Sequence, residues 1–390
     1  MGDKMWALVF DRSRDDWEAS RGLRRVQVAR PVLDEARDAE DATNVIVKVL
    51  YTGFCGSDRG IWFRDSFKSM IFDSLDGEKK DVRVVGHELL GEVAETGSEV
   101  EGRFGYRQGE MVAAESHITC GRCHRCLRGD RHVCDNEKII GFHRDGCFAE
   151  YIKLPAAVLW RTNRDKIKPI VAAIQEPFGN AVHAATRIDL RGKSVAIFGC
   201  GPIGLFTLLI ARALGASRIV GVEPNEENAR MAEKLGVDKM VRFKPEKDSW
   251  RSDPDVVAEV RDFGDDGVDV AFEMAGYNSS VNNAINAVCQ GGDIVLFGIK
   301  SGDFTIENFS RVIVRGVSLH SVIGRRIFET WEISRDLLEA RDNQIQDKIH
   351  DVILGKGDGT VVNIEDYDVD DFERRILSHP KVLIQWSRGG

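Results

Sequence analysis

The chain is poor in what several specialised architectures require. Eight cysteines among 390 residues are too few for a secreted disulfide scaffold. Basic residues are in deficit: 54 Lys and Arg against 63 Asp and Glu give a formal net charge of −9. A protein that holds nucleic acid regardless of sequence needs cations set against phosphates, so that class is excluded. Long apolar runs are missing too. Residues 194–211 carry no charge, but Gly199, Gly201, Pro202 and Gly204 interrupt them where a membrane-spanning helix has to be continuous. The first residues, MGDKMWALVFDRSRDDW, hold neither a long apolar segment nor a small-residue cleavage site, and no lipidation pattern is visible. The expectation is a cytoplasmic protein that meets no membrane and no nucleic acid.

What is present is a globular composition, 43% hydrophobic and 30% charged with both signs mixed. At about 150 residues per domain the length predicts two or three domains. Three stretches differ in pattern. Up to about residue 180, short β-rich runs such as 44–50, 89–95 and 148–154 alternate with glycine and charged loops, as in a barrel. Between 182 and 324, apolar strands at 194–198, 219–223, 268–274 and 293–298 alternate with helical patterns. One of these occupies 203–214; another opens at Asn225 and stops at Gly236. That alternation predicts an α/β, doubly wound parallel sheet. Residues 325–390 hold a helix near 330–340, an acidic stretch at 363–373 and a last strand at 382–386. They are too short for a domain of their own, so they are expected to return to the first. The acidic stretch reads as a solvated loop or helix face.

Residues 199–204 read G-C-G-P-I-G between a strand and a helix. In that setting Gly199, Gly201 and Gly204 let the backbone turn and approach a pyrophosphate, while Pro202 and Ile203 open the helix whose N-terminus favours the charge. Glu223 ends the next strand, where a carboxylate accepts from the adenosine ribose and repels a 2′-phosphate, which predicts NAD over NADP. Arg230 reads as an exposed helix residue. Cys120, Cys123, Cys126 and Cys134 follow a C-x2-C-x2-C-x7-C spacing, able to close a tetrahedral zinc shell with no position left for substrate. His124 and His132 read as surface residues, since four thiolates already suffice. A third set is scattered: Cys55, Ser57 and Asp58, then His87 and Glu88, then Glu176. A catalytic zinc takes about three N, S or O ligands and one open position, but spacing alone does not join these residues.

With the cysteine loop, the Gly-His-Glu at 86–88 and the glycine fingerprint on the page, the chain resembles the zinc-dependent medium-chain dehydrogenases along nearly its whole length. Within them it is most similar to the threonine 3-dehydrogenase branch, on ESHITCGRCHRC (115–126), GCFAEY (146–151), EPFGNAVH (176–183) and GRRIFETW (324–331). Sorbitol-type polyol dehydrogenases share the Glu-Pro string. The resemblance implies a GroES-like catalytic domain from residues 1–181 and 325–390, a Rossmann domain over 182–324, and a homo-oligomer, tetramer or dimer. It implies a catalytic zinc on Cys55, His87 and Glu176, with Glu88 as a mobile carboxylate that binds when substrate does not. Ser57 matches the hydroxyl that starts a proton relay, His117 a histidine near the active site, and Arg325 an arginine near the cofactor. The activity implied is hydride transfer from a small secondary alcohol, a threonine-like amino alcohol or a polyol or sugar, to NAD. A non-catalytic binding protein on the same fold is the alternative, distinguished by holding one zinc instead of two.

Two places depart from that pattern. Relatives carry histidine five residues after the zinc cysteine, where this chain has Gly60. The segment from Cys55 to His87 is also longer, and contains Trp62, Phe63, Arg64, Phe67, Lys68, Met70 and Phe72. It reads either as a surface helix with an apolar underside or as the wall of an enlarged pocket, with Arg64 or Lys68 meeting an anionic or polyhydroxylated substrate.

Overall fold

The computed structural model describes residues 3–246, 249–299 and 302–387, in two compact units: Met1–Pro177 with Leu354–Gly390, and Phe178–Ile353. The axis of the first unit is the strand Asn44–Phe54, NVIVKVLYTGF, nearly all buried because both its edges are covered. Glu88–Thr96 pairs antiparallel along one edge; Tyr151–Pro155 and then Val382–Gln385 pair along the other. Met111–Ala114 and Leu159–Arg161 extend this sheet, and Lys4–Asp11 forms a second one with Arg24–Ala29 and Val82–Val84. The apolar core between them includes Phe10, Trp17, Phe54, Trp62 and Phe148.

The helix Gly56–Trp62 leaves directly from the end of the axis strand. The C-terminal helix Val369–Ser378 covers it. Asp368 caps that helix by accepting the Asp371 amide at 2.9 Å, and Phe372 lies 5.2 Å from the rings of both Phe54 and Trp62. Full burial of such a ring contributes about 1.5–3 kcal/mol. Trp62 Nε1 donates to Glu373 Oε2 at 2.9 Å. The acidic stretch is therefore a solvated helix face whose other side is apolar and packed.

The second unit is built on six parallel strands in the order Lys239–Val241, Arg218–Val222, Ser194–Phe198, Val268–Glu273, Val288–Leu296 and Ser318–Ser321. Helices Pro202–Ala213, Glu226–Leu235, Pro254–Phe263 and Asn278–Ala287 fill the crossovers. Asn225 caps the second of these, accepting the Glu227 and Asn228 amides, and Gly236 ends it at φ +99°. The return to the first unit comes at Leu354, later than the boundary near 325 expected from pattern. Glu329–Glu339 buries Trp331 and Leu338 within the second unit, and Lys348 Nζ donates to the Leu235 carbonyl at 3.0 Å. Among the described residues no helix is long and apolar enough to cross a membrane.

Candidate functional site

The sulfur atoms of Cys120, Cys123, Cys126 and Cys134 lie within 4.8 Å of one another, and all are free of disulfides. Backbone amides aim at them: Cys123 N–H donates to Cys120 Sγ at 3.3 Å and Cys126 N–H to Cys123 Sγ at 3.5 Å. Amide donation from Arg122 and Cys123 lowers the Cys120 pKa to about 6 and amide donation from Cys126 and Asp135 lowers that of Cys123, while burial pushes Cys126 up to about 12. Four converging sulfurs with N–H donors fit a tetrahedral zinc site. His124 is exposed and His132 half-buried, and neither belongs to the group.

A second group forms where the axis strand ends. Cys55, His87 and Glu88 bring ligand atoms within 4.8 Å of one another. Cys55 precedes the helix Gly56–Trp62 and donates its amide to Asp58 Oδ2 at 2.9 Å. Asp58, fully buried, also sets Oδ1 3.3 Å from His87 Nδ1. Burial opposes protonation of His87, yet Asp58 and Cys55 together raise its pKa. An anionic pocket of this kind is what a divalent cation neutralises. Glu88 is wholly buried and forms an ion pair with Lys381, itself 2% exposed. Lys381 Nζ also donates to the Phe54 carbonyl at 3.2 Å. Glu88 Oε1 has no hydrogen-bond partner among the described residues, and burial raises the Glu88 pKa against the pull of Lys381. A Cβ at Gly53 would come 1.9 Å from Glu88 Oε2, so only glycine fits beside this pair. Glu176 stands outside the 4.8 Å group; its Oε1 accepts from Ser116 Oγ at 2.7 Å.

In the second unit Gly199 turns at φ +94°, and a Cβ on Gly204 would lie 2.0 Å from the Gly199 carbonyl oxygen. Gly201 faces open space, with nothing within 4 Å of where a side chain would begin, and it caps the helix opened by Pro202 and Ile203. Glu223 accepts the Cys200 amide at 2.7 Å and the Asn225 amide at 2.8 Å. The open glycine cradle and the adjoining carboxylate fit a dinucleotide.

Two family models match the chain: "Alcohol dehydrogenase GroES-like domain" over residues 41–164 and "Zinc-binding dehydrogenase" over 202–340. Among curated relatives, L-threonine 3-dehydrogenase of Bacillus velezensis is 34% identical over 341 residues, 87% of this chain and 89% of its own. That of Pyrococcus horikoshii is 37% identical over 298 residues, 76% of this chain and 80% of its own. The chain belongs to the zinc-dependent medium-chain dehydrogenases. Among solved structures, a Bacillus subtilis 2R,3R-butanediol dehydrogenase shares the fold with a TM-score of 0.77 at 24% identity, covering 98% of this chain and all of that one. A Sinorhizobium meliloti zinc-binding dehydrogenase bound to NADP gives 0.72 at 25% identity over 98% of this chain and all of that one. As a member of this family the protein is an oxidoreductase of the alcohol dehydrogenase class, using zinc and a nicotinamide dinucleotide.

The departures from the medium-chain dehydrogenase pattern have a physical cause. A Cβ at Gly60 would come 2.8 Å from Ser66 Cβ and 3.3 Å from the Phe67 ring, so the inserted segment occupies the space an imidazole would need. Arg64 does not face a substrate. It is buried, donates to the Gly22 carbonyl at 2.8 Å and to Ser20 Oγ at 3.2 Å, and stacks over Phe10 and Trp17. Lys68 pairs with the exposed Glu18. The helix Lys68–Glu78 buries Ile71 and Leu75, which is the surface helix with an apolar underside. Ser57 is half-buried in the first turn of its helix. His117 Nδ1 lies 3.1 Å from Oε1 of the fully buried Glu115. Arg325 is 1% exposed and donates to Asn180 Oδ1 at 2.8 Å, and Arg230 is exposed beside Glu226. Lys381 carries no signal of its own in the sequence, because it becomes meaningful only through Glu88, far along the chain; Asp58 stands among the candidates without a role, and Glu115 only within the 115–126 string.

Proposed function

We propose that the protein oxidises a secondary alcohol to a ketone, passing hydride to NAD, and that its substrate is a threonine-like amino alcohol. The observation that carries this is the convergence of half-buried Cys55 with buried His87 and Glu88, with Glu176 near enough to act on the charge of Glu88. The relatives named for L-threonine support the substrate. In this reading Cys55, His87 and Glu176 hold a catalytic zinc, Glu88 is the alternative ligand, and Cys120, Cys123, Cys126 and Cys134 hold a structural one. Bound there, zinc supplies the Lewis acidity that lets a substrate hydroxyl lose its proton near neutral pH. Asp58 engages His87 Nδ1 and leaves Nε2 for the cation. Ser57 Oγ takes the hydroxyl proton and, with Gly60 in place of an imidazole, hands it to water. His117, oriented by Glu115, stands on the substrate side. The glycines at 199, 201 and 204 receive the pyrophosphate, with Pro202 and Ile203 opening the helix behind them; Glu223 takes the ribose hydroxyls and disfavours a 2′-phosphate. Arg325 belongs to the cofactor side.

A polyol or sugar is the second reading, favoured by the inserted segment pressed against Gly60 on the helix that carries Ser57. Zinc-loaded protein and NAD, followed by NADH absorbance against L-threonine, sorbitol, xylitol, inositols and aldoses, separates the two. Turnover of threonine with a low KM supports the first; turnover of polyols or sugars alone supports the second. About one zinc per chain with no turnover would defeat both in favour of a non-catalytic protein. A cytoplasmic setting accompanies the proposal. So does a homo-oligomer, tetramer or dimer.

A further inference from the structure

The sheet of the second unit reverses its direction of growth between Ser194–Phe198 and Val268–Glu273. From the first of these strands the chain builds outward through Arg218–Val222 and Lys239–Val241, then crosses to the second and builds the other way. Ligands of such sheets lie beyond the carboxyl ends of the two strands at this switch. Glu273 is the last residue of its strand, in register between Phe198 on one neighbour and Leu296 on the other. It is fully buried.

Two loops end on this one residue. Its side-chain Oε1 accepts the Ala275 amide at 3.0 Å, the Gly276 amide at 2.9 Å and the Ser280 hydroxyl at 2.7 Å. Its main-chain carbonyl accepts the Phe297 and Gly298 amides, both at 3.0 Å. The loops touch: a Cβ on Gly298 would lie 2.1 Å from the Gly276 nitrogen and 2.7 Å from Glu273 Oε2. The first loop also meets the fingerprint, since a Cβ on Gly199 would lie 2.9 Å from Ala275 Cβ. Oε2 has no hydrogen-bond partner among the described residues. A carboxylate buried with one oxygen unsatisfied is costly, and an apolar residue would serve the sheet better unless the loops need holding.

We propose that the Glu273 side chain is a positioning group that sets the 274–277 loop, against which Gly298 packs, for the nicotinamide half of the dinucleotide. The inference rests on the dinucleotide reading above. If the pyrophosphate lies at Gly201 and the adenosine ribose at Glu223, on the Arg218–Val222 side of the switch, the other half of the cofactor has to lie on the opposite side. There the carboxyl ends of Val268–Glu273 and Val288–Leu296 meet it.

The test is binding of NADH and of ADP-ribose, which lacks the nicotinamide, to the full-length zinc-loaded protein and to Glu273→Ala and Glu273→Gln. Glu273→Ala is expected to weaken NADH by about tenfold, the weight of charge-assisted hydrogen bonds lost from one group, and to leave ADP-ribose within about twofold. Glu273→Gln, which keeps an acceptor in the place of Oε1, is expected to recover most of the loss. If the alanine variant does not fold, Ser280→Ala removes one donor without touching the carboxylate and should give the same selective pattern at smaller size. Equal weakening of both ligands alongside a lowered Tm would mean a merely structural role and overturn the proposal, as would unchanged NADH binding. Wild-type protein that binds neither ligand would overturn the dinucleotide reading itself, and this inference with it.

Discussion

A lysine taken out of water is costly unless a carboxylate meets it. Lys381 meets Glu88. Burial lowers the Lys381 pKa, but Glu88, Cys55 and Glu176 together raise it above its usual value. The pair matters because Glu88 also stands among the candidate zinc ligands, so one carboxylate has two cations to choose between. Lys381→Met should therefore destabilise the metal-free protein by about 3 kcal/mol, the usual cost of leaving one buried charge unpaired, and the zinc-loaded protein by clearly less. Urea unfolding with and without zinc measures both; equal losses would mean that Glu88 does not turn to the metal. Gly60 is the second residue whose identity is set by its neighbours. Gly60→Ala drives a methyl to 2.8 Å from Ser66 Cβ, and overpacking of that order costs about 1–3 kcal/mol. A smaller loss would mean that the inserted segment yields, and that its contact with the helix does not explain the missing imidazole.

At the scale of elements, the cysteine loop has almost no core of its own. Leu127 is 75% exposed and Val133 37%, while Arg122, Arg125, Arg128 and Arg131 all face solvent. On the proposal that these cysteines hold zinc, a segment so built depends on that metal for its order. Stripping zinc with a strong chelator should open these four arginines to trypsin while the rest of the chain stays resistant, and Cys123→Ser should do the same without chelator. A loop that remains uncut after zinc removal would show that it holds itself together. This loop was legible in the sequence because four cysteines within 15 residues serve one purpose. The glycine fingerprint was legible for a similar reason, being a local turn between a strand and a helix. The clamp formed by Val369–Ser378 was not. Its acidic residues marked the solvated face, but that Phe372 packs on Phe54 and Trp62 depends on residues over 300 positions away. Glu329–Glu339 shows the same limit: its period announces a helix, but nothing in it says which unit it covers.

At the scale of the whole molecule, the described residues leave an edge uncovered. Ser318–Ser321 closes one side of the six-stranded sheet, and most of it is exposed. Around it Ile313 is 68% exposed, Val314 84%, Leu319 39% and Ile323 53%. An exposed edge strand offers unpaired amides and carbonyls, and soluble proteins protect such edges with charge, with bulges or by covering them. Here no lysine stands on the strand, and large apolar side chains gather beside it, as they do where another protein docks. A second copy of the chain is the simplest cover, because a strand can pair antiparallel with its own twofold mate. The net charge of −9 opposes self-association in general, so a homo-oligomer of the kind proposed would draw its attraction from this face. Sedimentation equilibrium should then find a dimer or larger assembly at micromolar concentration. Leu319→Lys, alone or with Val314→Lys, should shift it to monomer while both zinc sites and the Tm of the second unit are retained. A wild-type monomer, or variants that assemble unchanged, would mean that this edge is covered by something other than a copy of itself.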